Sequence, residues 1–375
     1  MFEVDAAFAA ALERSHTEVA RLSTLNADRS VRQSWESSEA ISLAWGVDDD
    51  LTRAVRRSAS ISVVDETGGL SPHEAGDMLF TGERVRLETG ILRGSTPTYV
   101  QMFEGIVTSF AGSMAGTLEL AAEDPTSLLD QPFGEPVTIG DGMSAEDVVR
   151  LVAEPVLGSS ETWSLDGGGR IVTLRTWAED DRRLGSLVQL MHDLGLELFA
   201  DRFGELVLRP RLDPTVAAAV TVVREFVPTA GLAAWLDLVR SGSDQPHNRF
   251  VVVSERPDQP TLRGIAEVTD PSSPIHRDRI GLRQADIYRL DTAAADQAAV
   301  NAVAQQMMIE DSLTLDTVRG TAMPDPRLDA GDVVQISEPR SGTDDRYRIT
   351  RISHGPASMS LEAARVLPLA LAESA

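Results

Sequence analysis

The sequence predicts a β-rich α+β chain: a β domain, an α+β insert, and a second β domain carrying a long helix. Three observations predict it. Apolar and polar residues alternate with period two in several runs near both ends of the chain. Two capped stripes in the middle follow the helical period. One long apolar line over residues 292–313 interrupts the later strands.

The elements follow in order. Residues 5–15 read as a short helix, with Phe8, Ala11, Leu12 and Ser15 on one face. Thr17–Leu25 reads as a strand leading into the turn cluster Asn26-Ala27-Asp28-Arg29. Val31–Trp35, Ala40–Trp45 and Ala54–Val64 come next. In the last of these, Ala59, Ile61 and Val63 alternate with Ser58, Ser60 and Ser62, the period of a half-buried strand. Arg84–Leu92, Tyr99–Phe110 and Gly116–Ala122 continue the pattern. Short strands at this spacing suggest a small barrel or sandwich over roughly 17–122.

The character changes after Asp124-Pro125. Ser144-Ala145-Glu146-Asp147 has the spacing of a capping box, followed by a stripe of Val148, Leu151, Val152 and Val156. Trp163–Leu165 and Arg170–Trp177 flank Asp166-Gly167-Gly168-Gly169, which reads as a hairpin turn. Asp181–Leu194 is a second helix, with Leu184, Leu187, Val188 and Met191 on one face and Gly195 ending it. Leu196–Asp201 and Glu205–Arg211 form a hairpin. Strands return at Ala234–Ser241, Asn248–Glu255, Thr317–Ala322, Asp332–Ser337, Arg346–Ser353 and Ser358–Val366. Thr292–Leu313 is a helix whose apolar side carries Val300, Val303 and Met307. The expected domains are 1–125, 126–240 and 241–375.

Composition excludes several chemistries. There are 34 Lys+Arg against 58 Asp+Glu, a net charge of -24, and such a chain repels phosphate backbones and anionic lipid. Cysteine is absent, which removes disulfides, zinc–thiolate sites, iron–sulfur clusters and thiol nucleophiles. Lysine is absent too, which removes Schiff-base chemistry and the P-loop lysine. No stretch reaches the length of a membrane span, and the opening residues lack a basic start. A soluble product made in a cytoplasm is expected.

No constellation points to catalysis. His16, His73, His192, His247, His276 and His354 include no pair at i, i+3 or i, i+4, so no zincin motif exists. Asp48-Asp49-Asp50, Glu179-Asp180-Asp181 and Asp344-Asp345 lack calcium-loop spacing and read as solvated loops. Arg56-Arg57 and Arg182-Arg183 read as salt-bridged surface, not a nucleic-acid footprint. Gly112-Ser113-Met114-Ala115-Gly116 misplaces the serine of a nucleophile elbow. The glycines after Asp166 lack the ending of a phosphate cradle. The expectation is therefore no catalytic residue, no cofactor-binding residue, no metal ligand and no cofactor. A glycosidase pair among the acids has no locatable position, because carboxylate separation is a property of the fold.

Five runs, in order, resemble the tail hub proteins of siphophages of actinobacteria, which are related to the central hub of contractile-tail baseplates. Phe8–His16 is similar to their opening helix and Leu51–Asp65 to their most recognisable strand. Phe199–Pro210 is similar to the hairpin after the middle helix. Asn248–Glu255 with Asp270–Pro274 is similar to the return to the second barrel, and Met323–Val334 to the proline-rich entry into the last strands. Two stretches depart from the pattern: Ile275–Gly281 replaces a glycine-rich run, and the segment between Gly82 and Tyr99 is short.

The resemblance implies two tube-like β-barrel domains per chain and a homotrimer at the tail tip of a virion. Its implied partners are a distal tail protein or tail-tube ring, tail fibre or spike proteins, and the tape measure protein. Genomic DNA would meet it only in transit, and no membrane is implied. A tail-associated cell-wall glycosidase and a hexameric tube-initiating adaptor are the competing readings. Trp35 and Trp45 are candidates for subunit contacts, with barrel core as the plainer reading.

Overall fold

The computed structural model describes residues 8, 17–37, 41–65, 79–93, 95–112, 116–158, 161–211, 221–227, 237–242, 246–255, 260–271, 273–290, 297–313, 316–339 and 342–366. The expected first helix falls outside these apart from Phe8, which is helical and buried. His16 and His73 also fall outside.

The N-terminal part is an antiparallel sheet region whose strand order departs from the chain order. Strands β1 (Thr17–Leu25), β2 (Val31–Glu36), β3 (Ile41–Asp50), β4 (Arg57–Asp65), β5 (Arg84–Arg93), β6 (Thr96–Gly112) and β7 (Thr117–Glu123) pair antiparallel in the order β3-β4-β7-β6-β5-β1-β2. The alternation read in β4 is its burial pattern: Ala59, Ile61 and Val63 face the core and Ser60 faces solvent. Trp35 and Trp45 lie in the same core with Leu22, Leu87 and Phe103, so they are core residues. Arg29 ends the first turn with φ 64.

After a 3-10 turn at Pro125–Leu129, the insert contains β8 (Val137–Ile139), β9 (Met143–Ser144), α1 (Ala145–Leu157), β10 (Trp163–Leu165), β11 (Ile171–Val172) and β12 (Arg175–Trp177). It continues with α2 (Arg183–Asp193), β13 (Leu196–Ala200) and β14 (Leu206–Pro210). Ser144 caps α1, accepting from the Asp147 amide at 3.1 Å. The buried stripe of α1 is Val148, Val149, Val152 and Leu157, and Leu151 is exposed. Both helices pack on Leu129, Phe133 and Trp177.

The glycine turn after Asp166 forms locally, with Arg170 N donating to Gly167 O at 3.0 Å, but it does not join a hairpin. Strand β10 pairs in parallel with β14, β11 pairs with β9, and β12 pairs with β8. Pairing with distant strands overrides the local signal here.

The C-terminal part holds β15 (Val222–Phe226), β16 (Asp237–Gly242), β17 (Arg249–Ser254), β18 (Leu262–Glu267), α3 (Arg277–Ile280), β19 (Tyr288–Arg289) and α4 (Gln297–Leu313). Four strands complete it: β20 (Asp316–Ala322), β21 (Val333–Glu338), β22 (Thr343–His354) and β23 (Met359–Arg365). Strands β17, β18 and β19 make a separate three-stranded sheet, backed by α4 through Val300, Val303, Ala304 and Met308. Gly264 in β18 lets the helix come close: a Cβ there would stand 2.4 Å from Val300 O.

The N- and C-terminal β regions are not separate sheets. The first half of β22 pairs with β21, and its last residues pair with β3, from Arg351↔Asp50 to His354↔Val47. One 13-stranded sheet results, running from β16 to β2. Strand β16, which straddles the expected boundary at residue 240, belongs to this sheet through β20.

Candidate functional site

The features that set this chain apart are buried charges where the three parts meet. Asp49 and Asp50 continue β3 and are buried, so the acid triplet is not a solvated loop. Burying a carboxylate is unfavourable unless cations and amides surround it. Asp49 has them. Its Oδ1 accepts from Arg56 Nε at 2.5 Å, and its Oδ2 from Arg57 Nη2 at 2.8 Å and from Ala330 N at 2.9 Å. The Arg56-Arg57 doublet is salt-bridged, as its sequence suggests, but it lies inside the molecule. Arg182 of the other doublet is exposed and pairs with Asp130.

The lattice continues through Arg57 to Asp329 Oδ1 at 2.9 Å. Arg202, in the β13–β14 turn, is 2% exposed and reaches the same carboxylate from Nη2 at 2.5 Å. It also donates to Pro326 O at 2.5 Å and Leu328 O at 3.2 Å. Gln101 of β6 donates to Arg202 O at 2.9 Å. One turn of the insert thus binds the first sheet region and the 325–332 loop together. The two guanidiniums beside Asp329 hold its carboxyl far below the usual range. Burial together with Arg202 pushes His354 down to about 4, and its Nε2 donates to Leu328 O at 3.1 Å.

A second lattice centres on Glu104, fully buried in β6. It receives Arg29 at 2.7 Å, Arg86 at 2.9 Å and Arg84 at 3.4 Å. Arg84 continues to Glu161, and Arg29 to Thr162 and Phe203 O, all in the insert. Gly204, at φ +70, turns the chain beside Glu104. Asp124 closes the base of this region. It accepts from Arg57 N, Thr126 N and Thr126 Oγ1, while burial pushes it up to about 6.

This arrangement ties the three parts of the chain together. Each central carboxylate is held by guanidiniums or amides. The described histidines stand on separate elements: His192 near Glu310 at 3.7 Å, His247 against Asp311 at 3.3 Å, and His276 accepting from Asp278 N at 3.2 Å. Among the described residues no group of three His, Asp or Glu could hold a metal. Sequence reasoning missed the clamp. Its one local signal is an acid triplet facing an Arg doublet across a tight turn, and the completing partners Arg202 and Asp329 lie far along the chain.

No family model and no curated protein matches the chain. Solved structures do. A tail protein from Neisseria meningitidis is 14% identical with TM-score 0.64, over 92% of this chain and 96% of that one. The 43 kDa tail protein of prophage MuSo2 from Shewanella oneidensis is 14% identical with TM-score 0.60, over 93% and 98%. The E. coli c3393 protein is 10% identical with TM-score 0.50, over 86% and 73%. It is a type VI secretion component described as similar to the bacteriophage T4 tail proteins gp27 and gp5. At these identities the likeness is one of fold.

Proposed function

We propose that this chain is a structural hub of a phage-type tail tip. Three copies form a ring that joins the tail tube, through a distal tail protein, to the fibre or spike apparatus. The carrying observation is that the fold of two tail proteins is matched over more than nine-tenths of both chains. In this reading residues 1–125 and 241–375, the latter joined by β15 and β16, are two tube-like β-barrel units, so three subunits present six units to a sixfold tube. The insert over 126–240 locks them through Arg202, which meets Gln101 of the first and Asp329 of the second. The chain works without catalysis, in the virion, after synthesis in the host cytoplasm. The tape measure protein and the passing genome occupy the ring's centre. A chain of net charge -24 lets DNA slide without the counterion release that a basic wall would invite.

Two features support ring formation. The 13-stranded sheet ends in β2 on one side and β16 on the other, and neither pairs on its outer side among the described residues. Both are largely exposed, with Val31 and Val239 turned to solvent. Such edges aggregate unless covered, and head-to-tail pairing in a closed ring covers them. The cysteine-free chain gives a clean test. A double variant, Gln33→Cys with Val239→Cys, should on oxidation give covalent dimers and trimers and stop there. An open-ended ladder, or no cross-link, counts against pairing of these edges.

A further inference from the structure

A cavity of about 530 Å³ lies where all the parts meet: the turn before β4, helices α2 and α4, strand β13, and the sheet face of β20, β22 and β23. It is large enough for a small organic molecule. Its wall is mixed. Val188, Leu198 and Phe199 offer an apolar side, and Arg56 and Arg348 lie deep in it.

The charges in this wall are unequally satisfied. Three carboxylates line it, and each has a cation of its own. Glu197 is met by Arg209 at 2.5 Å, Glu310 by Arg211, and Glu362 by Arg319 at 2.9 Å. Arg348 is in the opposite position. It is 9% exposed, its Nε has no hydrogen-bond partner among the described residues, and Glu197 stands 4.0 Å away, already engaged by Arg209. Arg56 likewise has Nη1 without a partner, although Asp49 holds its other side. A second cation crowds this corner. The guanidiniums of Arg56 and Arg209 both stack near the Phe199 ring, at 4.4 and 4.9 Å from its centroid. Burial and these neighbouring cations push Arg348 below the ordinary arginine value. A buried guanidinium with an unpartnered Nε among like charges is unfavourable, and an oxyanion matches its planar fork.

We propose that this cavity binds a small amphipathic anion. Its carboxylate, sulfonate or phosphate group is held by Arg348 and the free Nη1 of Arg56, and its apolar body lies against Phe199, Leu198 and Val188. The site is independent of ring formation and can be occupied in a single subunit.

The probe is 8-anilinonaphthalene-1-sulfonate, titrated against the full chain and followed by fluorescence. One saturable site per chain is expected, displaced by octanoate at about tenfold lower concentration than by octanol. Arg348→Met should weaken binding about tenfold or more. Val188→Trp, which fills the cavity from α2 without changing charge, should abolish it while the melting temperature holds. If Arg348→Met fails to fold, the octanoate–octanol comparison and Val188→Trp still decide. Non-saturable fluorescence, equal displacement by octanol, or binding that survives Val188→Trp overturns the proposal.

Discussion

Arg202 Nη2 donates to Asp329 Oδ1 at 2.5 Å, joining two residues 127 positions apart. Through this contact the insert grips the loop that feeds the last strands, and Arg57 meets the same carboxylate from the first region. The clamp makes one body of a chain whose sequence reads as three.

Removing Arg202 should therefore cost far more than a surface charge. Arg202→Met removes a fully buried guanidinium and leaves the half-buried Asp329 with one cation fewer, and an unfolding free energy lower by about 2–3 kcal/mol is expected in urea titrations. Arg202→Lys should recover only part, because an ammonium cannot bridge Asp329 and two carbonyls at once. In a double-mutant cycle, Arg202→Met and Asp329→Asn should couple strongly. Additive effects would show that the contact is incidental.

The close approach of α4 to β18 predicts a steric effect. Gly264→Ala places a methyl against Val300 O, and a loss of about 1–3 kcal/mol in thermal unfolding is expected. Gly140→Ala is the control, because nothing lies within 4 Å of its added Cβ and its φ is not left-handed. A neutral Gly264→Ala would mean that the helix sits farther from the sheet.

Acid should act on two buried groups in opposite directions. His354 sits at about 4 when folded against 6.5 ordinarily, so the unfolded chain takes its proton first. Its contribution is complete above pH 6.5 and is lost as pH falls to 4, about 3 kcal/mol in all. Asp124 sits at about 6 against 3.8, so the folded chain takes its proton first, and stability rises by a similar amount as pH falls through the same window. Arg202, Asp329 and Arg57 face His354, and Arg57 also faces Asp124. Urea midpoints at pH 7 and 4.5 should differ little from these two groups together. His354→Gln should become relatively more stable at pH 4.5, and Asp124→Asn relatively less. The reverse order would refute both assignments.

Much of this architecture is legible in the sequence where the signal is local. Ala59, Ile61 and Val63 mark β4, Ser144 marks the start of α1, and Leu196–Arg211 marks a true hairpin, because period, cap and turn act within a few residues. The losses have one physical cause, which is pairing at long range. Asp49 looks solvated because the groups that stabilise it are Arg56 and Arg57, across a turn, and the amide of Ala330, far along the chain. The glycines after Asp166 look like a hairpin because β14, the strand that captures β10, lies beyond α2. The joining of the two β regions in one sheet is not legible, because the pairing of β22 with β3 leaves no mark in either strand. The candidate clamp was illegible for the same reason, since Arg202 in a turn has the appearance of ordinary surface.

The central claim is a closed ring of three, and the most direct test is the solution mass of the full chain by light scattering, with negative-stain images of the same sample. A species of about three times 40.4 kDa with a central opening is the predicted result. A chain that stays monomeric up to the highest attainable concentration, or that closes as a ring of six, would contradict it.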